Sequence, residues 1–101
     1  MAKILILDDD KDLLTVFKSL LKKKGFDVFA YSEWSGAWNA VKAYKPQLIL
    51  LDVFLKGIDG IDACKKLKAS SFTRNIPIIM LSSYPDIAHT AINESRVDVF
   101  I

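Results

Sequence analysis

The chain has 101 residues, 51% of them hydrophobic and 26% charged, and its 14 basic and 12 acidic side chains leave a net charge of +2. That length accommodates one domain and not two, and the composition is globular, not disordered. So small a positive excess gives no reason to expect a nucleic-acid or membrane partner. The single cysteine, Cys64, cannot form an internal disulfide, which favours a reducing compartment. No apolar run reaches the ~18 residues of a membrane span, and Met1 to Leu7 leads into acids, unlike a signal peptide. The expectation is a cytoplasmic domain.

Apolar runs alternate with helical patterns from end to end. Lys3–Leu7 reads as a first strand. Leu13, Leu14, Val16, Phe17, Leu20 and Leu21 recur at helical spacing and predict a first helix from Lys11 to Lys24. Asp10 can cap its start, Lys22, Lys23 and Lys24 suit its negative end, and Gly25 can stop it. Phe26–Ala30 is the second strand, and Ser32 is the expected N-cap of a second helix with Trp34, Ala37, Trp38, Val41 and Tyr44 along one stripe. Pro46 ends that turn before the third strand, Leu48–Leu51. Ile61, Cys64 and Leu67 mark a third helix, a polar loop spans Ser70 to Asn75, and Pro77–Leu81 is the fourth strand. Pro85 opens a fourth helix running to about Glu94, and Val97–Ile101 reads as the fifth strand.

Strands three and four show no polar alternation, as in parallel sheets covered on both faces. Strand–helix alternation agrees. The prediction is a doubly wound α/β fold with a five-stranded parallel sheet in the flavodoxin-like order 2-1-3-4-5. Ligands of such folds sit at the carboxyl ends of the strands. There the first strand ends in Asp8, Asp9 and Asp10, and the third in Asp52. If the two strands are neighbours, their carboxylates share one pocket and repel one another unless a cation enters. Few carboxylate oxygens, with room for water and phosphate, suit Mg²⁺. A lone Asp after a strand is more often a cap or turn former, and Asp10 and Asp12 are read that way.

These segments resemble the receiver domain of two-component response regulators, whose fold is that of the bacterial chemotaxis regulator. ILILDDDKDLL is similar to the receiver opening, LILLDVFLKGIDG to the phosphoacceptor segment, IPIIMLSS to the fourth strand and VDVFI to the fifth. The resemblance covers the whole chain, in order. It implies that Asp52 accepts a phosphoryl group from a histidine kinase or histidine phosphotransfer domain. It further implies that Asp8, Asp9, Asp52 and the backbone carbonyl of Phe54 hold Mg²⁺, that the Ser82 hydroxyl follows the phosphoryl group, and that Phe100 is an aromatic switch residue. Such a domain is a signalling switch with at most self-phosphorylation and self-dephosphorylation activity. Four departures stand out: Lys56 where Pro is common, Ser83 where a small Ala is usual, Arg96 near a frequent Gly, and no Lys-Pro or fifth helix after the last strand. A receiver lacking that helix is expected to self-associate through the uncovered face.

Two alternatives stand beside it. Asp8-x-Asp10 also resembles haloacid-dehalogenase phosphohydrolases, with Asp8 as nucleophile. A third reading is a receiver-like binding module that is not phosphorylated. His89 reads as a surface residue, Trp34 and Trp38 as packing residues, and Cys64 as a small core hydrophobe.

Overall fold

The described residues, 2–52, 55, 58–81 and 99–100 of a computed structural model (the last two through their backbone alone), form five strands and three helices. They alternate as β1 (Lys3–Leu7), α1 (Lys11–Lys23), β2 (Asp27–Tyr31), α2 (Trp34–Tyr44), β3 (Leu48–Asp52), α3 (Gly60–Ala69), β4 (Ile78–Leu81) and β5 (Val99–Phe100). All neighbouring strands pair in parallel, in the expected order β2-β1-β3-β4-β5. The expected fourth helix, Pro85 to Glu94, lies outside the described residues with Lys56, Ser83, His89 and Arg96.

Both sheet faces are apolar, as in parallel sheets that pack helices on both sides, but on the α1 side Leu48 and Leu50 of β3 and Ile79 and Leu81 of β4 are only partly buried. On one face Leu5, Leu7, Ile49, Leu51, Ile78 and Met80 pack against Ala37, Ala40 and Val41 of α2 and against Ile61, Ala63, Cys64 and Leu67 of α3. On the other, Ile4, Ile6 and Val28 pack against Leu14 of α1, with Phe17, Leu21, Leu48 and Leu50 around them. The outer side of α1 leaves Leu13, Val16 and Leu20 at 38%, 53% and 54% exposure among the described residues.

Helix α1 carries the terminal chemistry that its sequence promises. The Asp10 carboxylate accepts from the amides of Asp12 and Leu13 at 3.0 and 3.1 Å. Asp12, expected as a cap or turn former, lies within the first turn, where its charge still faces the helix's positive end. At the other end the Gly25 amide donates to the Lys22 carbonyl at 3.0 Å and the Phe26 amide to the Leu21 carbonyl at 3.1 Å. This is a Schellman turn, and Gly25 adopts the required left-handed conformation at φ 93°. Lys24 becomes the C-cap, so the helix stops one residue earlier than expected.

Other boundaries differ more. β2 lies one residue later than expected, because its register is set by pairing Lys3 with Asp27 through Leu7 with Tyr31. Ser32 is not the cap of α2. That position is Glu33, whose side chain makes no capping bond; Ser32 precedes it, outside the position from which a hydroxyl reaches the first free amides. Gly36 in α2 sits against the Tyr31 ring, which an added Cβ would meet at 3.2 Å. α3 is capped by Asp59, whose carboxylate accepts from the Ile61 amide at 2.7 Å.

Candidate functional site: three carboxylates at the ends of β1 and β3

β1 and β3 are hydrogen-bonded neighbours with Leu7 beside Leu51. The next residue of each chain is an acid, so Asp8 and Asp52 leave the same sheet edge side by side. Asp9 joins them, and the three residues each offer a carboxylate oxygen within 4.8 Å of the others. An octahedral Mg²⁺ with ~2.1 Å bonds spans about 4.2 Å between opposite ligands, so a set this close suits a small hard cation with water filling the remaining positions.

Asp8 is the buried member, 5% exposed. Its amide donates to the Tyr31 carbonyl of β2 at 3.1 Å, which ties the start of the loop to the sheet. Its carboxylate accepts from the Asp10 amide at 2.9 Å. Burial pushes its pKa up, and the Asp9 and Asp10 charges add to that; the Asp10 amide and a hydrogen bond with the Asp52 side chain oppose it. Removing water favours the neutral acid, and neighbouring anions do the same. A cation reverses both effects, so the donor set fits Mg²⁺ on electrostatic as well as geometric grounds.

Of the residues expected in this site, Asp8, Asp9 and Asp52 come together. Phe54 and Ser82 lie outside the described residues. Phe100 enters β5, where its Cα pairs with Met80, and its side chain is likewise outside them. Leu55 packs against the larger core cluster, anchoring the chain just past Asp52. Two supporting groups were missed from the sequence. The Asp10 amide on Asp8 depends on the loop's conformation and carries no sequence signature. The Asp59 cap did have one, an Asp directly before a helical apolar pattern. Trp34 and Trp38 pack at the margin of the core with centroids 5.4 Å apart, and Cys64 is buried in it, as expected of all three.

Comparison with known proteins agrees with this arrangement. The family model for the response regulator receiver domain matches residues 4–100. The DNA-binding response regulator MtrA of Mycolicibacterium smegmatis is 36% identical over 100 residues, covering 98% of this chain and 42% of that protein. The alkaline phosphatase synthesis transcriptional regulatory protein PhoP of Bacillus subtilis is 37% identical over 81 residues, covering 80% of this chain and 33% of that protein. The chain thus spans less than half the length of these curated relatives. Among solved structures, the N-terminal domain of a response regulator receiver protein from Methanoculleus marisnigri JR1 superposes with a TM-score of 0.89 at 28% identity, covering 100% of this chain and 83% of that one. The BeF3-activated N-terminal receiver domain of Klebsiella pneumoniae RstA does so with a TM-score of 0.87 at 30% identity, covering 98% and 83%.

Proposed function

The chain belongs to the response regulator receiver family, and on that premise we propose that Asp52 accepts a phosphoryl group from a histidine kinase or a histidine phosphotransfer domain and thereby switches partner binding. Receivers are signalling domains, not enzymes in the ordinary sense. The observation that supports the reading is the convergence of the Asp8, Asp9 and Asp52 carboxylates at adjacent strand ends.

The chemistry follows from the groups present. A carboxylate oxygen of Asp52 attacks phosphorus; an O–P bond forms as the N–P bond to the donor histidine breaks, and the imidazole leaves. The product is an acyl phosphate. Asp8, Asp9 and Asp52, with the Phe54 carbonyl, are the residues that would hold Mg²⁺. Bound there, Mg²⁺ supplies positive charge against the phosphoryl oxygens. Asp8, held by the Asp10 amide, keeps one ligand oxygen in a fixed orientation. Ser82 and Phe100 are the residues assigned to sense the modification, Ser82 through its hydroxyl and Phe100 through its ring.

The hydrolase reading loses its second acid. Asp10 would have to deliver a proton to a leaving group, yet its carboxylate is engaged by the amides of Asp12 and Leu13 as a helix cap. The expectation that nucleic acid plays no part is not supported. Relatives three-tenths or more identical are named DNA-binding or transcriptional regulators, so DNA is a proposed partner of any longer protein built like them. No described helix is long and apolar enough to cross a membrane.

Incubation with acetyl phosphate and Mg²⁺, followed by intact-mass measurement, tests the assignment. Wild type should gain one phosphoryl group and Asp52→Ala none. Modification of Asp52→Ala at the wild-type rate, or a phosphoryl group mapped to Asp8, would overturn it.

A further inference from the structure

A second surface lies away from the acidic site, between α2 and α3. Trp34 and Trp38 pack against the core and also line an open depression of about 420 Å³ together with Lys66, Ala69 and Ser70. Beyond Trp38 lies a second depression, of about 200 Å³, lined by Val41, Lys42, Lys45 and Phe72. The wall between them is aromatic: the Trp38 and Phe72 rings are 5.9 Å apart, and the Lys42 ammonium sits 5.2 Å from the Trp38 centroid and 5.9 Å from that of Phe72. Phe72 is 55% exposed, although burying it would be worth ~2 kcal/mol.

The charged residues among the described lining of both depressions are lysines. Among the described residues, neither depression has an acid in its lining. Lys42, Lys45 and Lys66 are exposed and meet no carboxylate among the described residues. Lys68 nearby is different, because its ammonium donates to the carbonyls of Arg74 and Ile76 and so serves the fold. Two apolar notches rimmed by ammonium groups that meet no carboxylate among the described residues complement a chain carrying apolar anchors between carboxylates.

Ring geometry distinguishes a peptide from a nucleic acid. Stacked bases need flat, open ring faces. Here one face of Trp38 is taken by Lys42, and its neighbours Trp34 and Phe72 are tilted by 33° and 48°. Tilted rings make notches that receive branched or aromatic side chains edge-on.

We propose that the α2–α3 groove docks an acidic segment of a partner protein, with one apolar or aromatic anchor in each depression and its carboxylates on Lys42, Lys45 and Lys66. The surface shares no residue with the carboxylate site, so the proposal stands whether or not Asp52 is phosphorylated.

The chain's two tryptophans both line this groove, so their fluorescence reports on its occupancy. The probe is a synthetic heptapeptide of glutamates interrupted by one leucine and one phenylalanine, with a lysine-for-glutamate version and an oligothymidylate as comparisons. The acidic peptide should shift the emission saturably. Lys42→Glu with Lys45→Glu should weaken binding on the order of tenfold and transfer the preference to the basic peptide. Phe72→Ala and, separately, Lys66→Glu should also weaken it, with the unfolding midpoint of every variant held as the folding control. The proposal is overturned by no saturable shift at millimolar peptide, by equal affinity of the charge-reversed chain, or by tighter binding of the oligothymidylate.

Discussion

Asp8 shows how one side chain can be both a structural group and a reactive one. Burial and two adjacent acids hold its carboxyl above the usual carboxylate range, which destabilises the ionised, metal-free site. Saturating the site with Mg²⁺ at 100 times its dissociation constant should add about 2.7 kcal/mol to stability. Urea unfolding with and without Mg²⁺ measures this, and Asp9→Asn should lose most of the gain; an undiminished gain would place the ion elsewhere. The pH dependence has a definite sign. Between the pKa of an ordinary Asp and that of Asp8, the folded chain keeps a proton that the unfolded chain has released. The stability this brings is fully present below the ordinary carboxylate range and is lost as pH rises through the raised value of Asp8. Metal-free unfolding midpoints followed upward from the ordinary Asp value of about pH 4 should therefore carry a falling component that Asp8→Asn removes. A rising component at this residue would mean that Asp8 is stabilised as an anion.

At the scale of elements, the ends of α1 and α2 contrast. α1 begins on a capping Asp and ends in a glycine-dependent Schellman turn. α2 begins on Glu33, whose backbone is already extended at φ −133°, ψ 146°, but whose side chain caps nothing. An Asp at that position is short enough to reach the free amides. Glu33→Asp should therefore stabilise the chain by about 1 kcal/mol, read as a rise in Tm of roughly 4 °C or more. No rise would mean that the amides at the start of α2 already have adequate partners. Receiver-type elements were legible in order because their apolar spacing is strong: six apolar positions of α1 and the uninterrupted β3 leave little ambiguity. The cap of α2 was not, since Ser32 and Glu33 are adjacent and only the docking of α2 against β1 and β2 sets which one begins the helix.

For the whole molecule, the two-faced sheet concentrates stability in its centre. Leu51 is fully buried in β3, between the site and the α2–α3 layer. Leu51→Ala should cost ~3 kcal/mol, a large share of the roughly 5–15 kcal/mol typical of a domain. Val16→Ala, on the open side of α1 at 53% exposure, should change stability by less than about 0.5 kcal/mol. Denaturant midpoints of both variants check this ranking, and similar losses would show that the outer side of α1 is packed in solution.

The sequence by itself determined the alternation of strands and helices, the parallel sheet, and the acids at its carboxyl edge. These depend on local periodicity and on residues that end strands, both written in neighbouring positions along the chain. The tertiary structure realises the expected neighbouring of β1 and β3, 40-odd residues apart in sequence yet paired at Leu7 and Leu51, and supplies its register. That pairing turns two ordinary strand-end acids into a shared site and buries Asp8 more deeply than its neighbours. The fold also set apart Trp34 and Trp38, which share a helical stripe with core residues but line an open groove beside Phe72. The packing of α2 beside α3 creates that groove, and no periodicity within either helix encodes the distance between them.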